Sequence, residues 1–117
     1  MSAQRKKTDF ELSFFEGIVK KNPDYVEALI PLAEAYTRNG YYENGLKIDR
    51  RLSRLCAEDP VVHYNLACSL ALVGKKAGAL TALRKAVRLG YSDFIHMRKD
   101  RDLKSLHGNL QFEKLFR

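Results

Sequence analysis

The sequence predicts an all-α chain assembled from a repeated helix pair, and three observations carry that reading. Apolar residues recur at spacings of three and four along the whole length, with no strict two-residue alternation to compete. Gly40, Gly74 and Gly108 stand 34 residues apart each time. The stretches leading to the first two glycines align with each other: Leu29, Leu32, Ala33 and Tyr36 fall opposite His63, Leu66, Ala67 and Leu70.

Each element has its own signal. Phe10, Phe14 and Ile18 share one face of a first helix, and Leu12, Phe15 and Val19 an adjoining one. Thr8 with Glu11 has the spacing of a capping box, so this helix is placed at 9–21 behind a flexible basic segment, 1–8. Asp24 with Glu27 resembles the same box and opens a second helix, 25–38, whose stripe is Leu29, Leu32, Ala33 and Tyr36. Pro31 lies inside it, where proline removes one backbone bond and commonly bends the helix. Gly45, Ile48, Leu52 and Leu55 mark a third helix, 42–57. Asp59 followed by Pro60 reads as an N-cap with proline at the first helical position, opening 60–73. Ala79, Leu83 and Ala86 mark 76–89, and short helices are expected near 93–98, 101–107 and 110–116. Gly40, Gly74 and Gly90 suit left-handed helix terminations.

The 117 residues suffice for one domain, 9–117. Hydrophobic residues make up 45% and charged residues 30%, which builds a core and is not the composition of a disordered chain. The longest largely apolar stretch, 66–73, is far too short to span a membrane. Residues 1–7 carry charge with no apolar segment behind them, so no signal peptide is expected. Cys56 and Cys68 are too few for a disulfide framework, which leaves two free thiols and a cytoplasmic location as the default.

The alignment of the two halves resembles the tetratricopeptide repeat. Leu29, Leu32, Ala33 and Tyr36 fit the first half of that pattern, with Ala in the place of Gly; His63, Leu66, Ala67 and Leu70 fit it again, with His for Trp. Ala79, Leu83 and Ala86 fit the second half, and Pro23 and Pro60 look like the prolines near repeat junctions. The tail, with Gly90, Tyr91, Asp93, Asp102, Leu103, Leu106, Phe112 and Leu115, resembles the terminal cap that often follows such repeats. The resemblance covers residues 10–117. It implies a short right-handed solenoid of antiparallel helix pairs, with full repeats near 25–59 and 60–93, an N-terminal helix and a cap at 94–117. The pattern's proline would fall at Ala57, but Pro60 arrives three residues late, so the helix 42–57 is expected to run on and project from one edge. The cap residues Leu103, Leu106, Phe112, Leu115 and Phe116 are expected to cover the last full helix.

The resemblance also implies a site. In this family the first helix of each pair lines a concave face that holds a peptide or helix. It places Glu27, Ile30, Pro31, Glu34, Thr37 and Arg38 there from one repeat. From the next it places Val61, Tyr64, Asn65, Cys68, Ala71 and Leu72, and the tail adds Ile95, Arg98 and Lys99. Tyr64 and Asn65 are the leading recognition pair, one for stacking and one for fixing a peptide amide; the alternative is that these are packing residues. Some relatives clamp a C-terminal carboxylate with Lys, Asn and Arg, but here only Asn65 fits, since Ile30 and Glu34 stand where Lys and Asn are required. A protein or peptide partner is implied, and an exposed helix face would equally serve a homodimer.

Other functions have less behind them. His63, His96 and His107 include no pair at metal-helix spacing, and Cys68 has no base beside it in sequence. No glycine-rich phosphate loop exists. Neither an enzyme, a metal nor a cofactor is expected. The formal net charge is +7, with nine Lys or Arg against three Asp in residues 75–104. That basic half is either a solvated face or a surface for nucleic acid, for which Tyr91 and Phe94 are the available stacking groups.

Overall fold

The computed structural model describes the backbone of residues 3–117 and the side chains of residues 10–117. The chain is all-helical, with no strand among the described residues. It forms two units, one ending at Leu55 and the other Cys56–Arg117.

The first unit holds α1 (Ala3–Lys21), α2 (Val26–Arg38) and α3 (Tyr42–Leu55). α2 is the middle helix, packed on both α1 and α3. Its stripe Ala28, Leu29, Leu32, Ala33, Ala35 and Tyr36 is buried, and Val19, Leu46, Ile48 and Leu52 answer it from the flanking helices. Each large side chain buried in this way contributes about 1.5–3 kcal/mol. α3 packs tightly on α2 at Gly45, where a Cβ would meet Thr37 Oγ1 at 3.1 Å and the Ala33 carbonyl at 3.6 Å. Polar ties follow the packing. The Tyr36 hydroxyl donates to Glu16, and Arg38 pairs with Glu11 at 3.2 Å.

The second unit holds α4 (Pro60–Leu72), α5 (Lys76–Arg88), α6 (Phe94–Lys99), a 3₁₀ turn (Arg101–Leu106) and α7 (Leu110–Lys114). α4 is central here, packed on α5 and on the 3₁₀ turn. Asp59 caps α4 by accepting from the Val61 and Val62 amides, with Pro60 at the first position. His63 is buried, and its Nε2 lies 2.7 Å from the Ala57 carbonyl, fastening α4 to the turn before it.

The 34-residue period is written into the backbone. α2 and α4 begin and end 34 positions apart. Each closes with the same pair of bonds: Gly40 to Thr37 and Tyr41 to Tyr36 in one, Gly74 to Ala71 and Lys75 to Leu70 in the other. Gly40 and Gly74 adopt φ of 81° and 84°, the left-handed geometry such an ending needs. Each unit thus contains one helix–glycine–helix repeat.

Several expectations change. α3 ends at Leu55 rather than continuing to Ala57; residues 56–58 form a turn closed by Asp59 N–H donating to the Cys56 carbonyl. Leu55, placed in the buried stripe, is exposed. Asp24 is not a cap. The turn closes with Tyr25 N–H on the Asn22 carbonyl, which makes Tyr25 the N-cap and leaves it without a side-chain capping bond. α2 runs through Pro31 without interruption. α1 begins at Ala3 rather than near 9, so residues 3–8 of the segment taken as flexible belong to a helix. The capping role of Thr8 and residues 1–2 lie outside the described residues.

Candidate partner-binding surface and the cluster around Asp100

The predicted site residues divide into open and covered groups. On α2, Glu27, Ile30, Glu34 and Arg38 are exposed, at the three- and four-residue spacing that shares a face. On α4, Val61 and Asn65 are exposed and Leu72 is half-buried, but Tyr64 and Cys68 are only 4% and 7% exposed. Those two are corrections. What covers them is the chain's own segment 91–106, folded onto α4.

The covering is polar at its centre. The Tyr64 ring stacks on Tyr91 with centroids 4.2 Å apart and planes 7° apart. Its hydroxyl donates to Asp100 Oδ2 at 2.6 Å, the Cys68 thiol donates to the same oxygen at 3.7 Å, and His96 Nε2 lies 3.2 Å from it. Asp100 Oδ1 accepts from the Asp102 amide, capping the 3₁₀ turn. One carboxylate therefore orders a helix, a turn and two side chains of α4. Ser105 Oγ also reaches the Ala71 carbonyl at 3.4 Å. The cap thus packs chiefly on α4 rather than on α5, because Tyr64 and Cys68 supply donors that match Asp100.

The electrostatics of the cluster follow from burial. Desolvation raises the pKa of both Tyr64 and Cys68, and the Asp100 charge raises them further. Burial also raises Asp102, with Asp100 adding to the effect. Cys68, Asp100 and Asp102 bring ligand atoms within 4.8 Å of one another. Burial and the Asp100 charge disfavour the Cys68 thiolate, and Asp100 Oδ2 already serves three neighbours, which makes that carboxylate a hub of the packing. The thiol and the imidazole both meet the same Asp100 oxygen.

The remaining candidates are also engaged. The Arg98 guanidinium lies 4.0 Å over the Phe116 ring and 3.5 Å from Glu113. Phe94 packs edge-on to Phe116, and His107 stacks on Phe112. With Tyr91 on Tyr64, the two aromatic groups nearest the basic residues, Tyr91 and Phe94, are both engaged internally. Ile95, at 73% exposed, and Lys99, also exposed, are the exceptions in the tail. Asp100 is the site residue that sequence reasoning missed. The available signal was a change of chemistry at equivalent positions, Ile30 to Tyr64 and Glu34 to Cys68, which put two donors on this face of α4.

The fold and this surface define an all-helical repeat protein. No family model matches the chain. It is similar to a chloroplastic protein of Arabidopsis thaliana, with 31% identity over 88 residues, which takes in 70% of this chain. The chain spans about a quarter of the length of that curated relative, 25%. No helix among the described residues is long and apolar enough to cross a membrane.

Proposed function

We propose that the chain is a tetratricopeptide-type solenoid that works as a protein–protein adaptor, holding a peptide or helix on the outward face of α2. The observation that carries this reading is the repeated helix–glycine–helix unit, which leaves Glu27, Ile30, Glu34 and Arg38 exposed on the helix that the repeat pattern assigns to recognition. In the second unit, Val61 and Asn65 are the open recognition residues of α4, while Tyr64 and Cys68 serve the fold. The nucleic-acid alternative keeps its nine cations, but the aromatic groups nearest them, Tyr91 and Phe94, are engaged in internal packing. The two free thiols support a reducing compartment.

Affinity capture tests the adaptor reading. The full chain is compared with Ile30→Ala, Asn65→Ala and, as control, Lys47→Ala, which changes an exposed residue of α3. Partners retained by the control and lost by Ile30→Ala support the α2 face. Equal retention by all variants, with circular dichroism unchanged, sinks it.

A further inference from the structure

α2 and α4 stand at the same place in the period, so their outward residues correspond: Ile30 with Tyr64, Glu34 with Cys68, Arg38 with Leu72. On α4 this strip is filled by residues 91–106, and the fit is chemical as well as steric: an aromatic ring on Tyr64 and an acceptor on its hydroxyl. On α2 the same strip is open, with Ile30 39% exposed. Its chemistry is the reverse. Where α4 presents donors and receives a carboxylate, α2 presents carboxylates at Glu27 and Glu34 on either side of an aliphatic side chain.

This acidic strip belongs to a chain of net charge +7. The cation beside it, Arg38, is paired with Glu11. Screening reduces the reach of distant charges to about 8 Å at physiological ionic strength, so the local carboxylates decide what docks here. Glu27 and Glu34 are separated by about 10 Å along the helix at about 1.5 Å per residue. A polyproline II chain covers about the same distance in one three-residue turn, which returns its side chains to the same face. Glu27 already accepts from the Tyr25 hydroxyl, and a carboxylate has lone pairs for further donors.

We propose that the α2 face binds a basic peptide segment, with an aliphatic side chain resting on Ile30 and two cations three residues apart reaching Glu27 and Glu34. The inference rests on the adaptor reading and names the partner's chemistry. Overall charge opposes such binding, since the chain as a whole repels a cationic peptide; attraction has to come from this strip.

The test uses the full chain and three short labelled peptides with blocked ends, built from repeats of Lys-Leu-Ala, Glu-Leu-Ala and Ser-Leu-Ala. Fluorescence anisotropy is read near physiological ionic strength. The lysine peptide should bind, and Glu27→Gln and Glu34→Gln should each weaken it about two- to fivefold, the scale of an exposed ion pair. Glu27→Lys with Glu34→Lys should transfer preference to the glutamate peptide. Glu43→Lys, an exposed change on α3, should leave affinity unchanged, with circular dichroism constant throughout. Binding of the serine or glutamate peptide through Ile30 in place of the lysine peptide overturns the choice of partner and leaves the adaptor reading standing. Equal loss with Glu43→Lys overturns the α2 strip as the source of attraction. Concentration-dependent self-association abolished by Glu34→Lys overturns the inference in favour of a second copy of the chain. Failure of all three peptides also overturns the inference, and the capture experiment with Ile30→Ala then decides the adaptor reading separately.

Discussion

Asp100 shows how much one side chain can organise. Its Oδ2 receives the Tyr64 hydroxyl and the Cys68 thiol while Oδ1 caps the 3₁₀ turn, so losing one donor leaves buried acceptor capacity unmet. Tyr64→Phe keeps the stack on Tyr91 but removes that donor, and should cost about 1–2 kcal/mol in urea unfolding. Combining it with Asp100→Ala should give clearly less than the sum of the single changes, because both break the same bond; strict additivity would show that the hub carries no coupling. The buried thiol behaves accordingly. A maleimide under native conditions should label half-buried Cys56 and spare Cys68 until denaturant is added. Tyr36 sets an alkaline limit. Burial, and then its bond to Glu16, push its pKa from 10.0 to about 12. The folded form therefore keeps a proton that the unfolded chain loses, and stability present below pH 10 declines as pH rises toward 12. Tyr36→Phe should flatten that decline in melts followed across the window, and an unchanged slope would place the effect on other groups such as Tyr64.

Helix ends separate what local spacing suggests from what it delivers. Asp24 and Asp59 both precede helices, but only Asp59 accepts amide bonds from its helix. Asp59→Ala should cost about 1 kcal/mol and Asp24→Ala about 0.5 kcal/mol or less, read from chemical melts. The difference arises because the Asn22–Tyr25 bond moves the start of α2 one residue past the reach of Asp24. The tail matters more than either cap. Met97, Leu103, Leu106 and Phe112 are buried to 1% exposure or less, together contributing about 6–12 kcal/mol at about 1.5–3 kcal/mol each. A domain of this kind has about 5–15 kcal/mol in total. Truncation after Gly90 should therefore give a chain without a cooperative melt, and the face it uncovers is that of α4. A truncate melting close to the full chain would show that the tail is dispensable.

At the scale of the whole molecule, net charge and the proposed binding surface differ in sign. The basic residues of 75–104 dominate the net charge, whereas the open strip of α2 is acidic. If nucleic acid were the ligand, affinity would fall steeply with salt as counterions are released. Gel shifts with single-stranded RNA and duplex DNA near physiological ionic strength should show no retained complex, and tight binding there would replace the adaptor reading.

The sequence by itself determined the helical class, the 34-residue period, the glycine terminations and the Asp59 cap, because each depends on residues within a turn or two of one another or on a spacing repeated along the chain. Ridges at three and four residues, a left-handed glycine and an N-cap carboxylate act over short distances and leave local traces. Tertiary structure alone decided which face of each repeat stays open. Tyr64 and Cys68 have the outward spacing of recognition residues, and nothing in their position within the helix distinguishes them from Ile30 and Glu34. They are covered because Tyr91 and Asp100, 27 and 36 residues after Tyr64, fold back to satisfy a ring and two donors at once. Burial at that range is a property of the packed chain, since it depends on where a distant segment finds its hydrogen-bond partners.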